Sequence, residues 1–172
     1  MLQTLNSALA TLTRWLAWLG MLALMAAVLM TTADVVLRKA ANISFAGTVD
    51  ITQLMVMTAA YLAIPFAFAT RSHVAVAMLT DRLPRRALAL VQALGGLLAV
   101  ALMVAIAHYG RLQALQELAY GDASLTLGIP KIWYWVPLLA GAGLSVAVMG
   151  VMTLTYLYTA VTGRGLLSMG ED

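Results

Sequence analysis

The chain has no cysteine, which removes disulfides, thiol nucleophiles and cysteine-ligated metal clusters in one step. Charge is also scarce. Only 10% of the 172 residues are Asp, Glu, Lys or Arg, against about a quarter in a soluble domain, too few to coat a water-facing surface. The charges that exist avoid four long stretches altogether. Trp15 to Ala33, Ile51 to Thr70, Ala87 to Gly110 and Ile132 to Gly163 carry none of these four residue types, and by subtraction hold 19, 20, 24 and 32 residues.

What remains is apolar: 63% of residues are hydrophobic and the mean hydropathy is +0.93. A helix needs about 20 apolar residues, at about 1.5 Å rise each, to cross a hydrocarbon core of about 30 Å. The first two runs just suffice, the third has some length for tilt, and the fourth runs past the core. In lipid the backbone must satisfy its own hydrogen bonds, so the fold class is an all-α integral membrane protein with four transmembrane helices. The approximate spans are 15–33, 51–70, 87–110 and 132–160 of a single four-span membrane domain covering 1–172, with no room for a separate soluble domain. Arg14, the first apolar run and Thr31-Thr32-Ala33 have the outline of a secretory signal. That run exceeds the roughly 7–15 residues of a signal core and three more spans follow, so it reads as an uncleaved first span.

With four spans, one side collects Arg14, Arg71, Arg82, Arg85, Arg86 and Arg164, and the other Arg38, Lys39, Arg111 and Lys131. Six cations against four place both termini in the cytoplasm by the positive-inside rule. The net charge of +3 is spread over span ends, not gathered on one amphipathic face, so nucleic acid is not an expected partner. Trp15 and Trp18 mark the start of the first span. Trp133, Tyr134 and Trp135 open the fourth, and Trp135 to Tyr156 is 21 steps, or about 32 Å of helix between two aromatic belts. Short interfacial helices are expected in the connections. Leu112, Leu115, Leu118 and Ala119 suit one, ended by Tyr120-Gly121-Asp122, and Val74 to Leu79 is too short to cross and is expected to lie flat or be covered by protein.

Independent transport favours an ionisable residue near the bilayer middle. The span interiors offer only Gln53, Gln92, Ser, Thr and His108. His73 and His108 fall on opposite sides of the membrane, so they cannot share a haem. No paired carboxylates, Ser–His–Asp set or metal-ligand spacing appears, so no cofactor, metal or enzymatic activity is expected. Small residues recur instead. Ala59, Ala63 and Ala67 share a face of the second span, Gly95 and Ala99 of the third, and Gly141 with Ser145 of the fourth, staggered with Gly143 and Ala147. Such faces let backbones approach closely, within the bundle or against a partner helix. Pro65 is expected to bend the second span.

Four pieces then stand in order: Asp34-Val35-Val36-Leu37-Arg38 after the first span; Gly47-Thr48-Val49-Asp50-Ile51-Thr52-Gln53-Leu54 entering the second; Arg71-Ser72-His73-Val74-Ala75-Val76 with Leu83-Pro84 after it; and Ser124-Leu125-Thr126-Leu127-Gly128-Ile129-Pro130 before the fourth. In this order and with this length the chain resembles the small membrane subunit of TRAP (tripartite ATP-independent periplasmic) transporters, the DctQ-type family, which usually carries Glu where Asp50 stands. The resemblance implies an accessory subunit in a bacterial inner membrane. Its implied partners are a large multi-span TRAP membrane subunit, a periplasmic solute-binding protein that captures an organic acid such as a C4-dicarboxylate, and membrane lipid. The runner-up is a four-helix anchor or assembly subunit of another inner-membrane complex. Asp34 or Asp50 is expected to pair with Arg38 or Lys39 and fix how the first two helices meet. Arg71 and His73 are expected to orient the inner connection or meet lipid phosphate, and Gly128 with Pro130 to set the bend into the fourth helix.

Overall fold

The computed structural model describes residues 2–70 and 85–162. Among them are four helices, α1 (Leu2–Ala41), α2 (Thr48–Ala69), α3 (Arg85–Tyr120) and α4 (Ile132–Thr162), and no strand. All four are long and apolar enough to cross a bilayer. At 40 and 36 residues, α1 and α3 measure about 60 and about 54 Å. Both overrun the hydrocarbon core, so they tilt or project from it.

One expectation about the connections is corrected. The stretch around Leu112 and Leu118 is not a separate interfacial helix but the last turns of an unbroken α3. No proline interrupts it, and Gly110 is held beside Leu138 and Trp135 of α4. The break comes only at Gly121, whose φ of 69° is left-handed. The Gly121 N–H returns to the Leu118 carbonyl at 3.2 Å and the Asp122 N–H to the Glu117 carbonyl at 3.0 Å, a Schellman end. Val74 to Leu79 lies outside the described residues.

The helices form a row. Helix α2 packs on α1 and on α4, and α4 packs on α3, so the order across the layer is α1, α2, α4, α3. Gly20 lies against Ala59, and the Thr31 and Thr52 hydroxyls meet at 3.3 Å, so α1 and α2 run antiparallel. Gly96 against Thr153 and Gly110 against Leu138 make α3 and α4 antiparallel too. Helices α2 and α4 run parallel, because Asp50 meets Tyr134 and, farther along both helices, Tyr61 meets Gly141. Leu2 and Thr162 therefore emerge at the same end of the row, here called proximal. The connections 42–47 and 121–131 lie at the opposite, distal end.

All four helices meet in one cluster toward the proximal end. Val148, Met149 and Met152 of α4 are packed by Leu9, Phe68, Ala69, Ala99 and Val100. Elsewhere the row is one helix thick, and large apolar side chains stay exposed: Trp15, Leu22, Met25 and Leu29 on α1, Leu94, Leu98 and Leu102 on α3. In water such a surface would aggregate; in a bilayer it is the solvated side. Several hydroxyls along the spans close on their own helix. Thr31 donates to Ala27, Thr58 to Leu54 and Ser145 to Gly141, each at 2.8 Å, as a medium without water requires. The buried Thr153 hydroxyl of α4, beside Gly96, has no partner among the described residues.

The α2–α4 seam has a specific origin in two residues. Pro65 sits inside α2 and has no N–H, so the Tyr61 carbonyl four residues earlier loses its helical donor. That carbonyl is the atom nearest to where a Cβ on Gly141 would stand, and there is no room for one. A Gly at 141 lets the α4 backbone come up to the Tyr61 oxygen, a contact of the weak Cα–H···O kind.

Candidate functional site

The polar side chains with the most partners gather at the distal end, where two buried carboxylates hold three chain segments together. Asp34 lies one turn before Arg38 near the end of α1, and is only 3% exposed. Its Oδ1 accepts the Phe45 N–H at 2.9 Å and the Ser44 hydroxyl at 3.2 Å, and its Oδ2 is paired with the Arg38 guanidinium. The short connection 42–47 is thus folded back onto α1. Asn42, with a left-handed φ of 56°, makes the turn, and the Ile43 N–H returns to the Leu37 carbonyl at 3.4 Å.

Asp50 stands in the first turn of α2, where the helix dipole favours an anion, and is 6% exposed. Its Oδ2 accepts two backbone N–H groups from the other distal connection, Thr126 at 3.1 Å and Leu127 at 2.8 Å. Gly47 is required just before it. Its φ is 85°, and a Cβ there would run into the Leu127 side chain. Tyr134, in the first turn of α4, donates its hydroxyl to the Asp50 carbonyl at 3.1 Å within the buried interior. Asp50 therefore ties the start of α2 to the 121–131 connection, and Tyr134 ties α4 to the same turn.

The 121–131 connection is ordered from within. Ser124 and Ile129 exchange bonds, Ser124 N–H to the Ile129 carbonyl at 2.8 Å and Ile129 N–H to the Ser124 hydroxyl at 3.0 Å. Gly128 takes a φ of 65°, and Ala123 bridges to Pro130. Lys131 pairs with Asp122 at 3.3 Å, both about half-exposed, a pair worth little. At the rim, Trp135 donates its indole N–H to Glu117 at 2.7 Å.

The structure separates the small-residue positions into two groups. Ala59, Gly141 and Ser145 are buried in helix contacts, and Ala99 packs on the proximal cluster. Ala63 is half-buried, whereas Ala67 and Gly95 are exposed, with no heavy atom of another residue near the place of a Gly95 Cβ. Arg71 and His73 lie outside the described residues. His108 is exposed and meets Tyr109 edge-on at 5.4 Å. Among the described residues no three His, Cys, Asp or Glu side chains group as metal ligands.

Ser44, Ser124, Tyr134, Glu117 and Trp135 take part without having been singled out as joining residues. Ser44 stands ten residues from Asp34 and Tyr134 stands 84 from Asp50, separations that no local pattern reports. Both carboxylates accept main-chain N–H groups from a connection, Asp34 also a hydroxyl and a guanidinium, an arrangement suited to a clasp between chain segments.

The two sides of the Asp34 site differ in weight. Asp34→Ala is expected to raise hydrogen exchange at the Phe45 amide more than about tenfold, since two donors lose their acceptor. Arg38→Ala should change it little, because the Arg38 side chain is 58% exposed and its pairing is screened. Equal effects of the two substitutions on that amide, followed by exchange mass spectrometry, would refute this ranking.

No curated protein and no solved structure matches the chain. A family model described as tripartite ATP-independent periplasmic transporters, DctQ component, matches residues 27–162. That stretch runs from the middle of α1 to the last residue of α4 and includes both carboxylates of the clasp. On this match the chain belongs to the DctQ family, the small component of TRAP transporters.

Proposed function

We propose that the chain braces the large membrane subunit of a TRAP transporter in a bacterial inner membrane, with its proximal end in the cytoplasm. In this reading the large subunit moves an organic acid, such as a C4-dicarboxylate, inward, driven by an ion gradient, after a periplasmic solute-binding protein delivers it. The observation that carries the proposal is the row itself. Its helices are clasped at the distal end by Asp34 and Asp50, and broad apolar faces of α1 and α3 stay open. The charge-free runs supply no Asp, Glu, Lys or Arg to handle an ion or an organic acid within the bilayer, and their one histidine, His108, lies near the distal end of the third run, in α3. An apolar row of helices clasped at one end suits a scaffold that a moving partner works against. The six-to-four cation count supports the cytoplasmic placement of the proximal end.

The test is a mild-detergent pull-down of the tagged chain from its own membrane, paired with uptake in cells lacking it. A large multi-span partner in stoichiometric amount, and uptake restored only by the intact chain, are the expected results. A chain recovered alone and monodisperse, from cells whose uptake never depended on it, would end this reading.

A further inference from the structure

Between the distal halves of α3 and α4 lies an open groove of about 510 Å³. Its floor is Gly110, buried and without a side chain, beside the buried Leu138. Trp135 forms one wall. Its indole is fixed by the bond to Glu117, which also occupies that carboxylate. Along α3 the lining changes character, from Ile106 at the deep end to the exposed amides Gln113 and Gln116 at the distal end. The ten steps from Ile106 to Gln116 span about 15 Å.

The depth of the groove sets its surroundings. Trp133, Tyr134 and Trp135 mark the headgroup layer, where amphipathic rings settle. The Ile106 end therefore faces hydrocarbon and the glutamine end faces ester and phosphate groups. The polarity gradient of the groove follows that of the bilayer beside it. A protein helix would have to set two exposed amides against an apolar or small-residue face, whereas an amphiphile matches both halves at once. We propose that this groove holds one glycerophospholipid. Its acyl chain lies over Gly110 and Leu138, and its ester and phosphate oxygens accept from the Gln113 and Gln116 side-chain N–H groups. No charged side chain lines the groove, so the headgroup is not selected by charge. This inference needs only the membrane location, not the bracing role.

The full chain is reconstituted into vesicles of equal phosphatidylethanolamine and phosphatidylglycerol, extracted in mild detergent and weighed by native mass spectrometry. One retained lipid per chain is expected after loosely held lipid is stripped, with both lipid classes represented alike. The double substitution Gln113→Leu and Gln116→Leu removes the polar half while keeping a good helix former, and should weaken retention about tenfold or more. Ile106→Trp fills the apolar half and should abolish retention, and it decides the matter if the double variant loses helicity. No retained lipid in the native chain, or retention unchanged in the variants, overturns the proposal. So does a cross-link from Gln113→Cys to a partner subunit occupying the groove in the assembled complex.

Discussion

Gly141→Ala is expected to destabilise the protein by about 2–3 kcal/mol, although alanine is the better helix former by about 1 kcal/mol. The added methyl would land on the Tyr61 carbonyl oxygen and carbon, which are main-chain atoms and cannot rotate away. Relief requires α2 and α4 to separate along their whole contact. Gly143 provides the control, two residues farther along the same helix. A Cβ there has nothing within 4 Å, so Gly143→Ala should be neutral or slightly stabilising. Thermal unfolding in detergent, followed by the fluorescence of the four tryptophans, separates the two. A midpoint several degrees lower for Gly141→Ala only is the expected outcome. Equal midpoints would mean that the close approach of α2 and α4 does not hold the molecule together.

Asp50→Ala is expected to release the 121–131 connection from α2. Two N–H groups, on Thr126 and Leu127, lose a shared charged acceptor, the kind of bond that is stronger than a neutral one. Hydrogen exchange at these amides should accelerate by more than about tenfold, while amides in the middle of α2 change little. Asp50→Asn keeps one carbonyl oxygen in place and should give an intermediate rate. Because the acceptor is one oxygen of a short side chain, the order Ala, Asn, Asp in decreasing exchange is the diagnostic. Exchange in Asp50→Ala that matches the unsubstituted chain would show that the internal bonds of Ser124 suffice to hold the connection.

The four spans were legible in the sequence because lipid leaves the backbone few options, and long charge-free runs report that constraint directly. The helix ends were not. Asp34 ends the first apolar run, yet Asp34, Arg38 and Lys39 all lie inside α1, and Arg111, which ends the third run, lies inside α3. A charge tells where hydrocarbon stops, not where hydrogen bonding stops. Spacing by four showed which faces can be approached closely but not which are. Gly141 and Ser145 are buried and Ala67 and Gly95 are open, and the choice depends on the neighbour across the row. Asp34 pairs with Arg38, one turn away, a spacing visible on a helix. Asp50 uses main-chain N–H groups 76 and 77 residues distant, and a main-chain donor leaves no signature in residue identity.

The order α1, α2, α4, α3 also sets a timetable for biosynthesis. Each outer pair is joined by neighbours in sequence, so α1 can complete its contacts with α2 while the rest of the chain is still being made, and α3 with α4 later. The contact between α2 and α4 cannot begin until Ile132 and the residues after it have left the ribosome. At roughly 5–20 residues per second, that leaves the α2 side of the seam waiting on the order of several seconds. During that interval the Tyr61 carbonyl, deprived of its donor by Pro65, faces lipid or a helper protein. The row order therefore predicts insertion as two hairpins with a late closure, and nascent chains stalled before residue 132 are where a chaperone of that closure would be captured.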